Sequence, residues 1–232
     1  MSVSKRLAIF DVDGTLIDSQ HNIVAAMTVA FRANDLDDPR PEAVRRIIGL
    51  SLVDAVARLL PDDEGGRHLA VAHAYKDAFL QLRARREHSE PLFPGARAAL
   101  AALQDDGWLL GVATGKSRRG VEAMIARHGF GELFVTQQTA DDAPSKPHPA
   151  MLLQALEETG VAASNAVMIG DTTFDMAMGR SARVHAAGVV WGYHPPEDLV
   201  SAGAEILVDN YDELPARLVE LVEGPVCALA PS

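Results

Sequence analysis

The chain has 232 residues, of which 48% are hydrophobic, 23% charged and 5% aromatic. This composition fits a globular protein and excludes a disordered or collagen-like one. Its formal net charge of −11 is the opposite of the basic stripe that general nucleic-acid binders carry, and no apolar run approaches the ~18 residues of a membrane span. The single cysteine, Cys227, excludes an internal disulfide framework or a multi-cysteine zinc site. Together with an N-terminus too soon acidic for a signal peptide, it predicts a reducing, cytoplasmic setting.

The first predicted element is the apolar run at residues 7–10, which ends in Asp11-Val12-Asp13-Gly14. A short run bounded by a turn signal reads as a buried parallel strand. Residues 19–87 then read as helices alone. Ile23, Met27, Ala30 and Phe31 fall on one helical face. Val44, Ile47 and Ile48 form a shorter stripe, and Val71, Tyr75, Ala78, Phe79 and Leu82 a third. Pro39, Pro41, Pro61 and Gly65-Gly66 punctuate them. This segment holds 10 Lys+Arg against 10 Asp+Glu, whereas the rest holds 11 against 22. The whole net charge therefore lies outside it, a compositional boundary in itself.

Beyond re-entry near residues 91–95, apolar runs at 108–113, 133–135, 167–169, 186–190 and 206–208 alternate with helical patterns at 96–103, 121–126, 150–156 and 214–222. Such alternation predicts an α/β fold, a Rossmann-like parallel sheet with helices on both faces. The expected organisation is a catalytic core of residues 1–18 and 88–224, an inserted all-helical cap at 19–87, and a loose tail at 225–232. Ligands of such sheets bind at the carboxyl ends of the strands.

The chemistry-bearing residues fall at those ends. Asp11 and Asp13 flank one residue on a turn, so one can attack or bind metal while the other moves a proton. Gly14 lets that turn pass close to a ligand. Thr114, Gly115 and Lys116 follow the second core strand, where a hydroxyl and successive N–H groups can hold an anion or simply cap a helix. Lys146 precedes a helix with proline near its first turn, and is one of only four lysines (5, 76, 116 and 146). Gly170-Asp171 ends another strand, with Asp175 four residues on. These oxygens suit Mg²⁺ or cap the helix. Competing patterns fail: residues 111–117 have three residues between glycines where a nucleotide-binding P-loop needs four. His68 and His73 do not share a helical face, and His148 reads as a helix-start residue.

In order and spacing, Asp11-Val12-Asp13-Gly14-Thr15, Thr114, Lys146, and Gly170-Asp171 with Asp175 resemble the motifs of the haloacid dehalogenase-like superfamily across nearly the whole chain. Residues 112–117, 145–149 and Trp191-Gly192-Tyr193 look most like its phosphoglycolate phosphatase-like branch. The resemblance implies a Mg²⁺-dependent phosphatase for a small phosphorylated metabolite, with phosphoglycolate the leading substrate. Asp11 would be the nucleophile that forms an aspartyl-phosphate, and Asp13 would protonate the leaving oxygen and later deprotonate water. Thr114 would bind a phosphoryl oxygen, with Gly14, Thr15 and Gly115 beside the substrate, and Lys146 would offset negative charge and hold Asp11. The metal would be held by Asp11, the Asp13 backbone carbonyl and Asp171, with Asp175 as a further or supporting carboxylate. Arg45 and Arg46, off the apolar stripe of their helix, either face solvent or reach a substrate carboxylate. A sugar-phosphate mutase or an inorganic pyrophosphatase would use the same set. A 2-haloacid dehalogenase needs no metal, a phosphonate-cleaving relative lacks Asp13, and a non-catalytic phosphate-binding protein would have lost a motif residue. Neither nucleic acid nor membrane is expected as a partner, and the sequence sets no oligomeric state.

Overall fold

The structure, a computed structural model, describes residues 5–63, 65–84 and 89–224. Its framework is a six-stranded parallel sheet among the described residues: β1 (Arg6–Phe10), β2 (Trp108–Ala113), β3 (Phe134–Gln138), β4 (Ala166–Gly170), β5 (His185–Val189) and β6 (Ile206–Val208), in the order β3-β2-β1-β4-β5-β6. The chain builds outward from β1 to β3, then crosses to the other side of β1 and continues with β4. That reversal is a topological switch point, and the crevice outside the carboxyl ends of β1 and β4 is where such a sheet takes a ligand.

Alternation along the central strand explains the two packed layers. Ala8 and Phe10 point to one face, where Val112, Val167 and Ile169 meet Leu100 and Leu103 of α5 (Ala96–Asp105), Met124 of α6 (Arg118–His128) and Leu214 and Leu218 of α10 (Leu214–Glu223). Leu7 and Ile9 point to the other, against Met151, Leu152 and Ala155 of α7 (Ala150–Thr159) and Met178 and Ala182 of α8 (Thr173–Ala182). A short helix, α9 (Pro196–Ala202), packs Leu199 on Met176 and Ala186. At about 1.5–3 kcal/mol for each large side chain removed from water, these two layers fix the strand ends that carry the site.

Between β1 and α5 the chain forms α1 (Gln20–Arg32), α2 (Pro41–Arg45), α3 (Leu52–Leu59) and α4 (Gly65–Arg83). The expected stripes close into a hydrophobic cluster of their own: Ile23, Met27, Ala30, Phe31, Val44, Ile47, Ile48, Val56 and Val71, joined from the core by Phe174 of α8. The two connections to the core run side by side. Ile17 and Leu92 form an antiparallel bridge, Phe93 N–H donates to the Leu16 carbonyl at 3.0 Å, and Asp18 N–H donates to the Pro91 carbonyl at 2.9 Å.

Three elements differ from the sequence expectation. β3 runs to Gln138 because its buried polar residues find hydrogen-bond partners: Thr136 Oγ1 donates to Glu158 at 2.5 Å and Gln138 Nε2 donates to Thr136 Oγ1 at 2.9 Å. α3 is a separate helix, started by Ser51, whose Oγ accepts from the Asp54 N–H. α9 was not expected; it begins with proline inside its first turn and ends at Gly203 in the left-handed region. Residues 85–88, the expected tail at 225–232 and Cys227 lie outside the described residues. No helix among the described residues is long and apolar enough to cross a membrane.

Candidate active site

β1 continues its pairing one step past Phe10, with Asp11 N–H on the Ile169 carbonyl at 2.9 Å. The chain then turns: Leu16 and Ile17 N–H both reach the Val12 carbonyl, at 2.9 and 3.0 Å. The Thr15 carbonyl accepts from Tyr211 Oη (2.8 Å) and Trp191 Nε1 (3.1 Å), which pins the turn from outside. Gly14 has φ of +87° and sits where a Cβ would lie 2.2 Å from Asp171 Oδ2. Only glycine allows both the conformation and the approach.

This turn meets three residues from the other connections at the same end of the sheet. Asp11, Asp171, Asp175 and Lys146 are each 0 or 1% exposed. Lys146 Nζ lies 2.6 Å from Asp175 Oδ1 and 2.9 Å from Asp11 Oδ1. Asp171 accepts from Thr15 Oγ1 (2.8 Å) and the Tyr193 N–H (2.9 Å). Asp175 Oδ2 accepts from Thr172 Oγ1 (2.7 Å) and the Thr172 N–H (3.1 Å), closing a capping box on α8. Asp175 thus does both things the sequence left open, capping a helix and facing the site. Asp11 differs from its neighbours: beyond the 2.9 Å ion pair with Lys146, neither of its buried oxygens has a hydrogen-bond partner.

Ligand oxygens of Asp11, Asp171 and Asp175 all lie within 4.8 Å of one another. Two like charges 4 Å apart at an effective dielectric of ~20 repel by about 4 kcal/mol, and one lysine offsets only part of that. Burial, against the pull of Lys146 and with the push of Asp175 and Asp13, raises the Asp11 carboxyl to about 7. Burial, then Asp11 and Asp175, raises Asp171 well above the usual carboxylate range. For Lys146 burial works downward, but Asp11 and Asp175 outweigh it and the ammonium is held above its ordinary value. An all-oxygen set with excess negative charge and unsatisfied Asp11 oxygens fits a hard divalent cation.

Asp13 lies apart from this cluster. Its Oδ1 accepts from Ser19 Oγ and from Lys116 Nζ at 2.5 Å. Lys116 also lies 3.7 Å from Glu90, a buried acid on the second connection, which Arg83 of α4 approaches to 3.7 Å. Thr114 is buried, its Oγ1 accepting from the Lys116 N–H at 3.2 Å. Asp13, Gly115 and Lys116 form the floor of a cavity of about 490 Å³ between the core and the inserted helices. The inserted segment contributes Met27, Ile47, Leu50, Leu52, Tyr75 and Phe79 to its lining.

The structure therefore brings Asp11, Asp13, Gly14, Thr15, Thr114, Gly115, Lys146, Asp171 and Asp175 to one end of the sheet. Thr15 turns its hydroxyl to Asp171 rather than outward. Arg45 and Arg46 are not brought to the cavity lining: Arg45 Nε donates to Gln20 Oε1 at 2.7 Å and its Nη1 lies 3.5 Å from Glu42, while Arg46 lies 3.8 Å from Asp198. Lys116, Glu90, Ser19 and Tyr193 were missed as a connected set, because their partners are up to 174 residues apart in sequence. The one available signal was Lys116 beside Thr114.

Residues 8–189 match the profile of the haloacid dehalogenase-like hydrolases, and the chain belongs to that family. Within it the chain is a phosphoric monoester hydrolase of the phosphoglycolate phosphatase-like branch. It is 35% identical, over 96% of its length and 98% of the relative's, to "Probable phosphatase IndB" of Dickeya dadantii. It is 32% identical to the phosphoglycolate phosphatase of Rhodospirillum rubrum, covering 90% of this chain and 89% of that one. The crystal structure of a hydrolase from Pseudomonas syringae shares the fold, with a TM-score of 0.83 at 24% identity over 93% of this chain and 99% of that one.

Proposed function

We propose that the chain hydrolyses a small phosphomonoester in two steps through an aspartyl-phosphate on Asp11, with Mg²⁺ as cofactor. The observation that carries this is the Asp11 carboxylate, buried at the switch point with no hydrogen-bond partner beyond its ion pair with Lys146. Asp11 and Asp171 would hold the cation, with the Asp13 backbone carbonyl as a further ligand and Asp175 fixing Lys146 through their 2.6 Å ion pair. When bound, the metal supplies positive charge that lets a carboxylate approach a phosphate dianion.

In the first step an Asp11 oxygen attacks phosphorus, the ester P–O bond breaks, and Asp13 gives its proton to the departing oxygen. In the second, water attacks phosphorus, Asp13 takes its proton, and the Asp11 O–P bond breaks to release phosphate. The Thr114 hydroxyl, which accepts from Lys116 N–H, keeps its own proton for a phosphoryl oxygen. Asp13 lines the cavity into which the leaving group departs. The named function of the Rhodospirillum rubrum relative supports phosphoglycolate as a reference substrate.

The test is phosphate release from p-nitrophenyl phosphate with Mg²⁺ and with chelator. Turnover with Mg²⁺, its loss in chelator without change in far-UV circular dichroism, and its loss in Asp11→Asn are expected. Full activity in chelator, or in a deamidation-checked Asp11→Asn sample, would overturn the mechanism.

A further inference from the structure

We infer that the substrate's leaving group is a body with a broad apolar or planar face, seated on Tyr75 and Phe79 of α4, rather than a two-carbon acid. The inference rests on the phosphatase reading above and names its substrate class.

Size comes first. The cavity holds about 490 Å³, many times the space that one water needs. It lies beyond Asp13, and Asp11, Thr114 and Lys146 are not part of its lining. A phosphoryl group on Asp11 therefore leaves nearly all of that space to the rest of the substrate. The methylene and carboxylate of phosphoglycolate would leave most of it to water.

Chemistry comes second. The wall opposite the core carries Ile23, Met27, Ile47, Leu52, Tyr75 and Phe79, with the Lys76 and Arg83 side chains of α4 also on the lining. Tyr75 and Phe79 are stacked, with ring centroids 5.6 Å apart and planes 26° from parallel. Lys116 Nζ lies 5.8 Å from the Phe79 ring centroid and 2.5 Å from Asp13 Oδ1. One lysine thus separates the aromatic surface from the carboxylate that serves the leaving oxygen, so the leaving group meets Phe79 at once. The aliphatic and aromatic part of that wall binds a ligand chiefly by burying apolar surface.

The experiment compares kcat/KM for 1-naphthyl phosphate and phosphoglycolate at saturating Mg²⁺, in the wild type and in two variants. Phe79→Ala removes the aromatic surface. Leu80→Trp narrows the cavity from a position 42% exposed, so it spares the fold if Phe79→Ala does not. A methylene in an apolar pocket is worth about 10–200-fold in selectivity, and a ring spans several. The naphthyl ester should exceed phosphoglycolate by at least about tenfold, and that ratio should fall at least about tenfold in either variant that keeps its melting temperature. Equal use of both esters, a preference for phosphoglycolate, or an unchanged ratio in a folded variant would overturn the inference while leaving the phosphatase reading intact. Release of phosphate from neither ester would sink both.

Discussion

Gly115→Ala tests whether the docked position of the inserted helices is part of the catalytic machine. The added Cβ would lie 2.3 Å from the Leu50 carbonyl oxygen and 2.7 Å from that of Gly49. Both are backbone atoms, so no rotamer change relieves the clash. Carbon–oxygen contacts settle at about 3.3–3.6 Å, so the 49–51 turn must retreat by about 1 Å. That movement breaks the bond from Ser51 N–H to Ser145 Oγ, now 2.8 Å, and strains the one between His194 Nε2 and the Arg46 carbonyl, now 3.2 Å. Two hydrogen bonds at about 0.5–1.5 kcal/mol each, less about 0.4–1 kcal/mol gained by restricting the unfolded chain, leave a net loss of about 0–2.5 kcal/mol. At roughly 2–4 °C per kcal/mol for a chain of this size, the melting temperature falls by no more than about 10 °C. Misplacement by about 1 Å, by contrast, costs on the order of a hundredfold in rate. The assay is kcat/KM on p-nitrophenyl phosphate at 25 °C beside a thermal melt. An activity within about threefold of wild type would refute the claim that this contact sets the working geometry. A loss of the cooperative melt would show that alanine breaks the fold instead of shifting the cap.

Three further outcomes are expected. Lys146→Met leaves Asp11 and Asp175 facing each other without their cation, a loss of about 3–5 kcal/mol for breaking a buried pair, and calorimetry should show a lower melting temperature that Mg²⁺ partly restores. Because Asp11 is raised to about 7 from 3.8 without metal, its ionisation destabilises the metal-free fold progressively as pH rises between those values. The protein in chelator should therefore melt lower at about pH 8 than at about pH 6, and titration calorimetry should find Mg²⁺ binding about tenfold weaker at pH 6, where a proton must be expelled; equal affinities would mean that Asp11 is already ionised. Arg45→Ala and Arg46→Ala should each change kcat/KM for phosphoglycolate by less than about threefold, since their contacts to Gln20 and Asp198 lie off the cavity lining; a larger, substrate-selective loss would return them to the site.

Much of this architecture was legible because unbroken apolar strands announce themselves and the acids stand where those strands stop. Leu7 to Phe10 needs no context to be read as buried, and Asp11, Asp13 and Asp171 follow from the strand ends. The polar end of β3 is not legible, because Thr136 and Gln138 look exposed in sequence until Glu158 of α7 is seen to hold Thr136. The direction of Arg45 and Arg46 was not legible either: a helical wheel says which side is apolar, not which polar neighbour waits on the other. The Glu90–Lys116–Asp13 chain escaped notice for the same reason, as three elements distant in sequence have to fold before the charges meet.

The side-by-side connections at Ile17 and Leu92 carry an evolutionary consequence. A segment of some seventy residues leaves the core and returns at neighbouring points, held by backbone bonds between Asp18 and Pro91 and between Leu16 and Phe93. Its helices bury their own cluster and borrow from the core Phe174 and, partly buried, Tyr193. Replacing, lengthening or trimming this segment leaves strand order and register unaltered, and closing a longer loop adds only about 0.6 kcal/mol per doubling. Lineages built on this plan can therefore exchange the lining over the strand ends as a cassette, drifting from one ester to another while Asp11, Lys146 and Asp171 stay fixed beneath.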